Sequence, residues 1–284
     1  MKILRNELLK HHTSLRIGGP ADYFCIPKNR AELLEALKFA KEKKLRLAIM
    51  GAGTNLLALD SGFRGLVIKL FGGINDVKIH RPKAQVGAGV ALSKLLLILA
   101  RKGLGGLEFL AGIPGSIGGA VYMNAGAWGK GIGNFVEEVR VVDRSGKEQV
   151  LNRSQLGFGY RSSKLQNSPY LITDIVLKLR RKKGRLITKK MKEYLKLRKD
   201  KQPLGTPNCG SVFKNPKGEF AGNLIEKAGC KGMRIGDAQV SSKHANFILN
   251  LGEAKAKDVI KLMTCIRKAV KIELEPEVKI LVEK

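Results

Sequence analysis

Leu45-Arg46-Leu47-Ala48-Ile49-Met50-Gly51-Ala52-Gly53-Thr54-Asn55-Leu56-Leu57 carries a short apolar run directly into a glycine-rich turn. The run from Leu45 to Met50 has the length and aliphatic content of a strand. Small residues at Gly51, Ala52 and Gly53 let consecutive backbone N–H groups converge on an anion, and Thr54 and Asn55 add side-chain donors. A second stretch, Ala111-Gly112-Ile113-Pro114-Gly115-Ser116-Ile117-Gly118-Gly119-Ala120, has the same chemistry over a greater length. One such loop is explained equally well by a tight turn. Two in one domain point to a large ligand with a diphosphate and an extended body. The commoner fingerprints are absent. Gly51-Ala52-Gly53 is followed by Thr54-Asn55-Leu56, so the dinucleotide-binding turn is incomplete. There is no G-x-x-x-x-G-K-[ST] and no G-x-S-x-G, and the four histidines form no H-E-x-x-H.

Around the first loop, helices and strands alternate. Arg30 to Lys43 predicts an amphipathic helix with Leu33, Leu34, Leu37 and Ala40 on one side. Gly65–Leu70, Ala84–Val86 and Leu171–Leu179 predict strands, and Leu92–Arg101 a helix. Val136–Asp143 alternates and meets the turn Arg144-Ser145-Gly146-Lys147, a hairpin signal. Further on, Gly210–Phe213, Ala245–Leu251 and Glu277–Val282 read as strands, and Phe220–Ala228 and Lys255–Val270 as helices. The last helix has a core stripe of Val259, Met263, Ile266 and Val270. The expectation is an α+β protein, with a larger domain over residues 1–184 and a smaller one over 185–284 that opens on a linker helix.

Lys and Arg number 53 against 24 Asp and Glu, a formal charge of +29, which makes nucleic acid an obvious suspect. The densest run, Arg180 to Lys201, has only Glu193 and Asp200 as acids, yet much of the excess lies outside it. With a single aromatic, the run offers no base-stacking platform. Its helical spacing puts Met191, Tyr194, Leu195 and Arg198 on one face, and it reads as a solvated helix linking two domains. Phe109 to Gly129 contains no charge and is about long enough to span a bilayer, but its glycines, Pro114 and Asn124 favour a buried ligand loop over a membrane helix. Met1 to Glu7 has no apolar core of a leader, and Cys25, Cys209, Cys230 and Cys265 are too scattered for a disulfide framework or a metal knuckle. They read as buried or incidental thiols of a reducing cytoplasm, and no metal is expected.

The motifs now align with a family. His12-Thr13-Ser14-Leu15-Arg16-Ile17-Gly18-Gly19-Pro20-Ala21, the loop at 51–57 and the stretch at 108–127 resemble UDP-N-acetylenolpyruvoylglucosamine reductases, flavoproteins of bacterial peptidoglycan synthesis. Gly157-Phe158-Gly159-Tyr160-Arg161-Ser162-Ser163, Gly210-Ser211-Val212-Phe213-Lys214-Asn215-Pro216, Lys243-His244-Ala245-Asn246-Phe247 and Leu274-Glu275-Pro276-Glu277-Val278-Lys279 continue the match in order, over essentially the whole chain. The first two motifs belong to a wider FAD superfamily, and the later ones are specific to the reductase.

The resemblance implies a two-lobed FAD domain of the vanillyl-alcohol-oxidase type, with lobes near 1–72 and 73–184, and a smaller α+β substrate domain. It implies that hydride passes from NADPH to FAD and on to the enolpyruvyl ether of the UDP-sugar, giving UDP-N-acetylmuramate. FAD would be held by Gly51, Ala52, Gly53, Thr54, Asn55 and Leu56 and by Gly112, Ile113, Pro114, Gly115, Ser116, Gly118 and Gly119. Thr54 stands where covalent relatives often carry histidine, so the flavin is expected to be non-covalent. Hydride delivery to the β-carbon leaves charge on the α-carbon and its carboxylate, which needs stabilising and a proton. The resemblance makes Ser211 the proton donor, Arg161 the carboxylate partner and Glu277 the third member. Lys201 resembles a phosphate-contacting lysine, and Lys214 and Asn215 are expected near the substrate. Many members carry an extra tyrosine-bearing segment over the substrate; the interval from Ser211 to Glu277 is too short for it, so this chain resembles the shorter form. The expected partners are small molecules, the UDP-sugar and NADPH, acting on a monomer with neither nucleic acid nor membrane insertion. Two other readings stay open: a flavin oxidase of the same superfamily, and a basic nucleic-acid-binding protein.

Overall fold

In the computed structural model, which describes residues 1–281, the chain folds into two compact units, each drawn from several segments. The first comprises Met1–Leu4, Phe24–Ala52 and Leu66–Arg198. The second comprises Arg5–Tyr23, Gly53–Gly65 and the chain from Lys199 onward. A four-stranded sheet has the order Ile3–Leu8, Pro20–Cys25, Phe63–Lys69, Leu47–Met50, and the division between units falls inside its first three strands.

The first unit holds a five-stranded sheet in the order Glu148–Asn152, Val136–Val142, Leu171–Lys178, Lys83–Gly87, Val77–His80. Its pairs are antiparallel, with Val139 opposite Ile175 and Ile175 opposite Val86. These three are fully buried, so alternation places an aliphatic row on the core face. Helix α1 (Arg30–Glu42) starts where the Asn29 side chain accepts the Glu32 N–H, and buries Leu33, Ala36, Leu37 and Ala40. Helix α2 (Leu92–Arg101) buries Leu92, Leu95, Leu96 and Leu99, the 3–4 spacing of one face. Leu47–Met50 pairs in parallel with Leu66–Lys69 and delivers the chain to Gly51.

The uncharged stretch after Glu108 does not form one long helix. It divides into a 3-10 turn at Glu108–Leu110, the short helix α3 (Ile117–Tyr122) and a bridge at Gly126–Ala127. Among the described residues, no helix is long and apolar enough to cross a membrane.

The basic run differs from the solvated linker expected of it. Arg180–Arg181 pairs with Leu104–Gly105, and after the short helix α4 (Arg153–Leu156) the next helix, α5 (Gly184–Lys201), buries Ile187, Met191, Tyr194 and Arg198. Spacings of four, three and four define that stripe, and Leu195, expected on it, is 43% exposed. By contact the first unit runs on to Arg198, whereas the expected division lay at residue 184.

The second unit has an antiparallel sheet ordered Asn208–Ser211, Phe247–Asn250, Ala238–Val240, Arg234–Ile235. Helices α6 (Ala221–Lys227) and α7 (Ala256–Ala269) complete it. Val259, Leu262, Met263 and Ile266 of α7 pack in one cluster with Phe213, Ile225, Val240 and Ile248, and with Leu15, Ile17 and Leu57 from early in the chain. That is why the unit is discontinuous: its core is closed by residues from three segments. The closing strand is Lys279–Leu281, parallel to Leu56–Ala58, and Val282, the expected last strand residue, lies outside the described residues.

Candidate active site

In the first unit the two glycine-rich loops meet. A Cβ built on Gly51 would stand 2.6 Å from Ser116 Oγ and 3.8 Å from Gly119 Cα. Ser116 is the N-cap of α3, and its Oγ accepts the Gly119 N–H at 3.2 Å. Gly112, Ile113, Pro114 and Gly115 form the turn leading to this cap, and Gly118 and Gly119 form the first turn of the helix. The Gly115 carbonyl accepts Leu92 N–H at 3.0 Å, so the planar trans peptide turns the Ser116 N–H the opposite way. The arrangement is a cradle that a side chain at Gly51 would fill, which fits backbone contact with a diphosphate.

The same unit carries Arg161 in a tight turn. Gly159 and Ser162 exchange both backbone hydrogen bonds, at 3.1 and 3.3 Å, leaving Arg161 at φ +52°. An arginine in the left-handed region costs on the order of 1–3 kcal/mol and is retained where the surroundings over-determine it. They do so here. Asn124 Nδ2 donates to Gly159 C=O at 2.7 Å and Asn124 Oδ1 accepts Gly133 N–H at 2.9 Å. Gln166 Nε2 donates to Arg161 C=O at 3.1 Å. The guanidinium lies over the Tyr160 ring, 5.2 Å from its centroid.

Arg198 is a residue that sequence reading placed on a helix face without a role. It is 8% exposed. Its Nε donates to Ala111 C=O at 2.9 Å, and its guanidinium sits 4.8 Å from the Trp128 ring centroid. Trp128 in turn packs on Tyr194 at 4.4 Å. Burial, with the Arg161 charge second, pushes the Arg198 pKa down to about 10. The group is still cationic at neutral pH, so two arginine charges share this part of the unit and favour an anion there. Arg198 also holds the residue that opens the 112–119 turn. Arg198→Lys keeps the charge but loses the planar fork, and is expected to destabilise the protein by about 1–3 kcal/mol. Urea unfolding monitored by circular dichroism measures this, and an unchanged midpoint would remove the assigned role.

In the second unit, Ser211 and Glu277 come together. Ser211 pairs with Phe247, and an irregularity separates that pair from Asn208 opposite Leu249. Gly210 at φ +78° permits it, with its N–H held by Asn208 Oδ1 at 2.9 Å. Such a bulge re-aims the side chain that follows. Glu277 N–H donates to Val212 C=O at 2.8 Å, so the two residues lie on adjacent extended segments. Asn55 Nδ2 donates to Glu277 C=O at 3.1 Å, and Lys279 N–H donates to Asn55 C=O at 3.1 Å. One N–H of the side chain expected to serve the ligand thus fastens the Glu277 segment. Gly53 is at φ +69°, and its carbonyl accepts Ser14 N–H at 3.0 Å; Thr54 and Leu56 follow it, and Leu56 enters the strand beside Lys279. Lys214 Nζ pairs with Glu275 at 2.6 Å, and Asn215 Oδ1 accepts Ala221 N–H at 3.1 Å at the start of α6. Lys201, exposed, ends α5. Arg161 belongs to the first unit, whereas Ser211, Glu277, Lys201, Lys214 and Asn215 belong to the second.

The glycine cradle and the domain pattern define a flavoprotein of α+β fold. Residues 21–152 match an FAD-binding domain model, and residues 202–281 match the C-terminal domain model of UDP-N-acetylenolpyruvoylglucosamine reductase. The chain is 46% identical over 283 residues to UDP-N-acetylenolpyruvoylglucosamine reductase 2 of Symbiobacterium thermophilum, covering 98% of this chain and 92% of that protein. The crystal structure of the reductase from Thermus caldophilus superposes with a TM-score of 0.87 at 40% identity, covering 99% of both chains. Cholesterol oxidase from B. sterolicum, at 15% identity, TM-score 0.50 and covering 63% of this chain and 37% of its own, shares the fold alone. The chain belongs to the UDP-N-acetylenolpyruvoylglucosamine reductase family.

Proposed function

We propose that this protein is an FAD-dependent reductase that converts the enolpyruvyl ether of UDP-N-acetylglucosamine to UDP-N-acetylmuramate for peptidoglycan, with NADPH as hydride donor. The observation that carries the reading is the Glu277 N–H to Val212 C=O bond, which sets Glu277 beside the strand bearing Ser211. FAD would be held without a covalent bond by residues 51–56 and 112–119. When bound, it supplies hydride to the β-carbon of the substrate. Arg161 offers a planar, permanently charged fork to the carboxylate and to the enolate charge that develops beside it. Ser211 Oγ–H gives its proton to the α-carbon, and the Glu277 carboxyl orients that hydroxyl and helps return the proton afterwards. Lys201, Lys214 and Asn215 contact the substrate. The reading includes an FAD domain over residues 1–184, a substrate domain over 185–284, a monomer and a cytoplasmic location.

NADPH oxidation measured with and without the UDP-enolpyruvyl sugar tests the reading. Turnover that requires the sugar supports it, and turnover that requires only oxygen would make the protein an oxidase. The charge of +29 suits polyanionic ligands. Raising salt is therefore expected to raise KM for the sugar and leave kcat nearly unchanged, read from steady-state rates at several ionic strengths. Tight, sequence-independent binding to duplex DNA at physiological salt would contradict this use of the charge.

A further inference from the structure

Asn246 is 3% exposed and makes two opposed hydrogen bonds with one residue. Its Oδ1 accepts Phe213 N–H at 2.9 Å, and its Nδ2 donates to Phe213 C=O at 2.8 Å. Its own C=O accepts Val212 N–H at 2.9 Å. Three hydrogen bonds thus fix the two residues that follow Ser211. The topology explains why a side chain is needed. Phe213 is bridged to Pro276, flanked by Glu277 N–H to Val212 C=O at 2.8 Å and Lys214 N–H to Glu275 C=O at 2.9 Å. In such a pair the N–H and C=O of Phe213 face away from Pro276. On that far side the backbone turns off, because Ser241 Oγ accepts the N–H groups of Lys243 and His244 at 3.1 and 3.3 Å. The Asn246 amide takes the place of the missing strand. A primary amide is the one neutral side chain that presents a donor and an acceptor side by side in a plane.

We propose that Asn246 is a positioning residue for the protonation step: by clamping Phe213 it fixes the Val212 carbonyl to which Glu277 is tied, and so holds Ser211 and Glu277 in one mutual arrangement. The proposal rests on the reading of Ser211 as proton donor, and the test separates the two. Asn246→Asp is isosteric. Ionised, it keeps an acceptor for Phe213 N–H but sets a second oxygen against Phe213 C=O. Protonated, it donates there and restores the pattern. Burial beside a carbonyl raises the pKa of such an acid. The ionisable groups on the packed segments are His244, Lys214, Glu275 and Glu277; burial holds the His244 pKa down, and Lys214 and Glu275 pair with each other. All four are present in the parent enzyme, so the difference between variant and parent at each pH reports residue 246.

Stopped-flow flavin absorbance of the holoenzyme reads both half-reactions. Asn246→Asp is expected to be reduced by NADPH at the parent rate. It is expected to be reoxidised by the UDP-enolpyruvyl sugar roughly 10–100-fold more slowly at alkaline pH, the scale of a small misplacement of reacting groups, and to recover as pH falls. Added to Ser211→Ala it should cause no further slowing, because both act through one hydroxyl. Asn246→Gln keeps the amide and displaces it, and should slow the same half-reaction without the pH recovery. Parent-like reoxidation in both variants, equal slowing of both half-reactions, or additivity with Ser211→Ala would overturn the proposal. If Ser211→Ala alone reoxidised normally, the proton-donor reading would fail first, and Asn246 would have no hydroxyl to position.

Discussion

Ser211→Ala is expected to be reduced by NADPH at a near-normal rate and reoxidised by the UDP-enolpyruvyl sugar roughly 10²–10⁴-fold more slowly, the range of a positioned proton transfer. Reduction needs only a correctly stacked nicotinamide. Protonation of the α-carbon belongs to the second half alone. Ser211 follows Gly210 at φ +78° and an irregular ladder, so its hydroxyl is aimed by the backbone, and removing it leaves that backbone in place. Ser211→Cys should keep part of the activity, because a thiol also delivers a proton. Arg161→Lys should slow the same half-reaction, since a point charge does not reproduce the bidentate fork. Stopped-flow absorbance of the flavin separates the halves in one enzyme. Equal slowing of reduction and reoxidation in Ser211→Ala would make the residue structural and turn the search to Glu277.

The helices of this chain were legible because their apolar spacing is local. Arg30–Lys43 and Leu92–Arg101 were expected within a residue of α1 and α2, and Val259, Met263 and Ile266 were named as the buried stripe that α7 shows. Strand pairing was less legible, since Leu56–Ala58 meets Lys279–Leu281 across most of the chain and no local pattern encodes that contact. The same long range hides the discontinuity of the second unit, whose core needs Leu15, Ile17 and Leu57. In the site, motif resemblance pointed to Ser211, Arg161 and Glu277, while residue chemistry alone pointed only to the glycine loops. Asn246 and Arg198 were passed over for a physical reason. An asparagine at the edge of an apolar strand and an arginine in a basic helix look solvated in one dimension. Their roles depend on carbonyls at Phe213 and Ala111 that only the fold brings near. A polar residue inside a predicted apolar stripe was the available signal, at Arg198 beside Met191 and Tyr194 and at Asn246 between Ala245 and Phe247.

Gly51→Val is expected to yield a folded protein that purifies without flavin. The argument is steric. A Cβ at this position would stand 2.6 Å from Ser116 Oγ, closer than real Cβ contacts come, and valine adds two methyl groups beyond it. Ser116 is 2% exposed and already bonded to Gly119 N–H, so it cannot swing clear without releasing the start of α3. Relief therefore displaces one or both of the loops expected to hold the FAD diphosphate. The five-stranded sheet and the second unit's core do not involve Gly51, so secondary structure should persist in circular dichroism. The ratio of flavin to protein absorbance after gel filtration gives retention, and titration with added FAD gives the affinity lost. Gly51→Ala combined with Ser116→Gly removes the colliding hydroxyl and should recover flavin that Gly51→Ala alone does not hold. A fully yellow Gly51→Val protein would show that the loop junction has room to spare and that the diphosphate is held elsewhere.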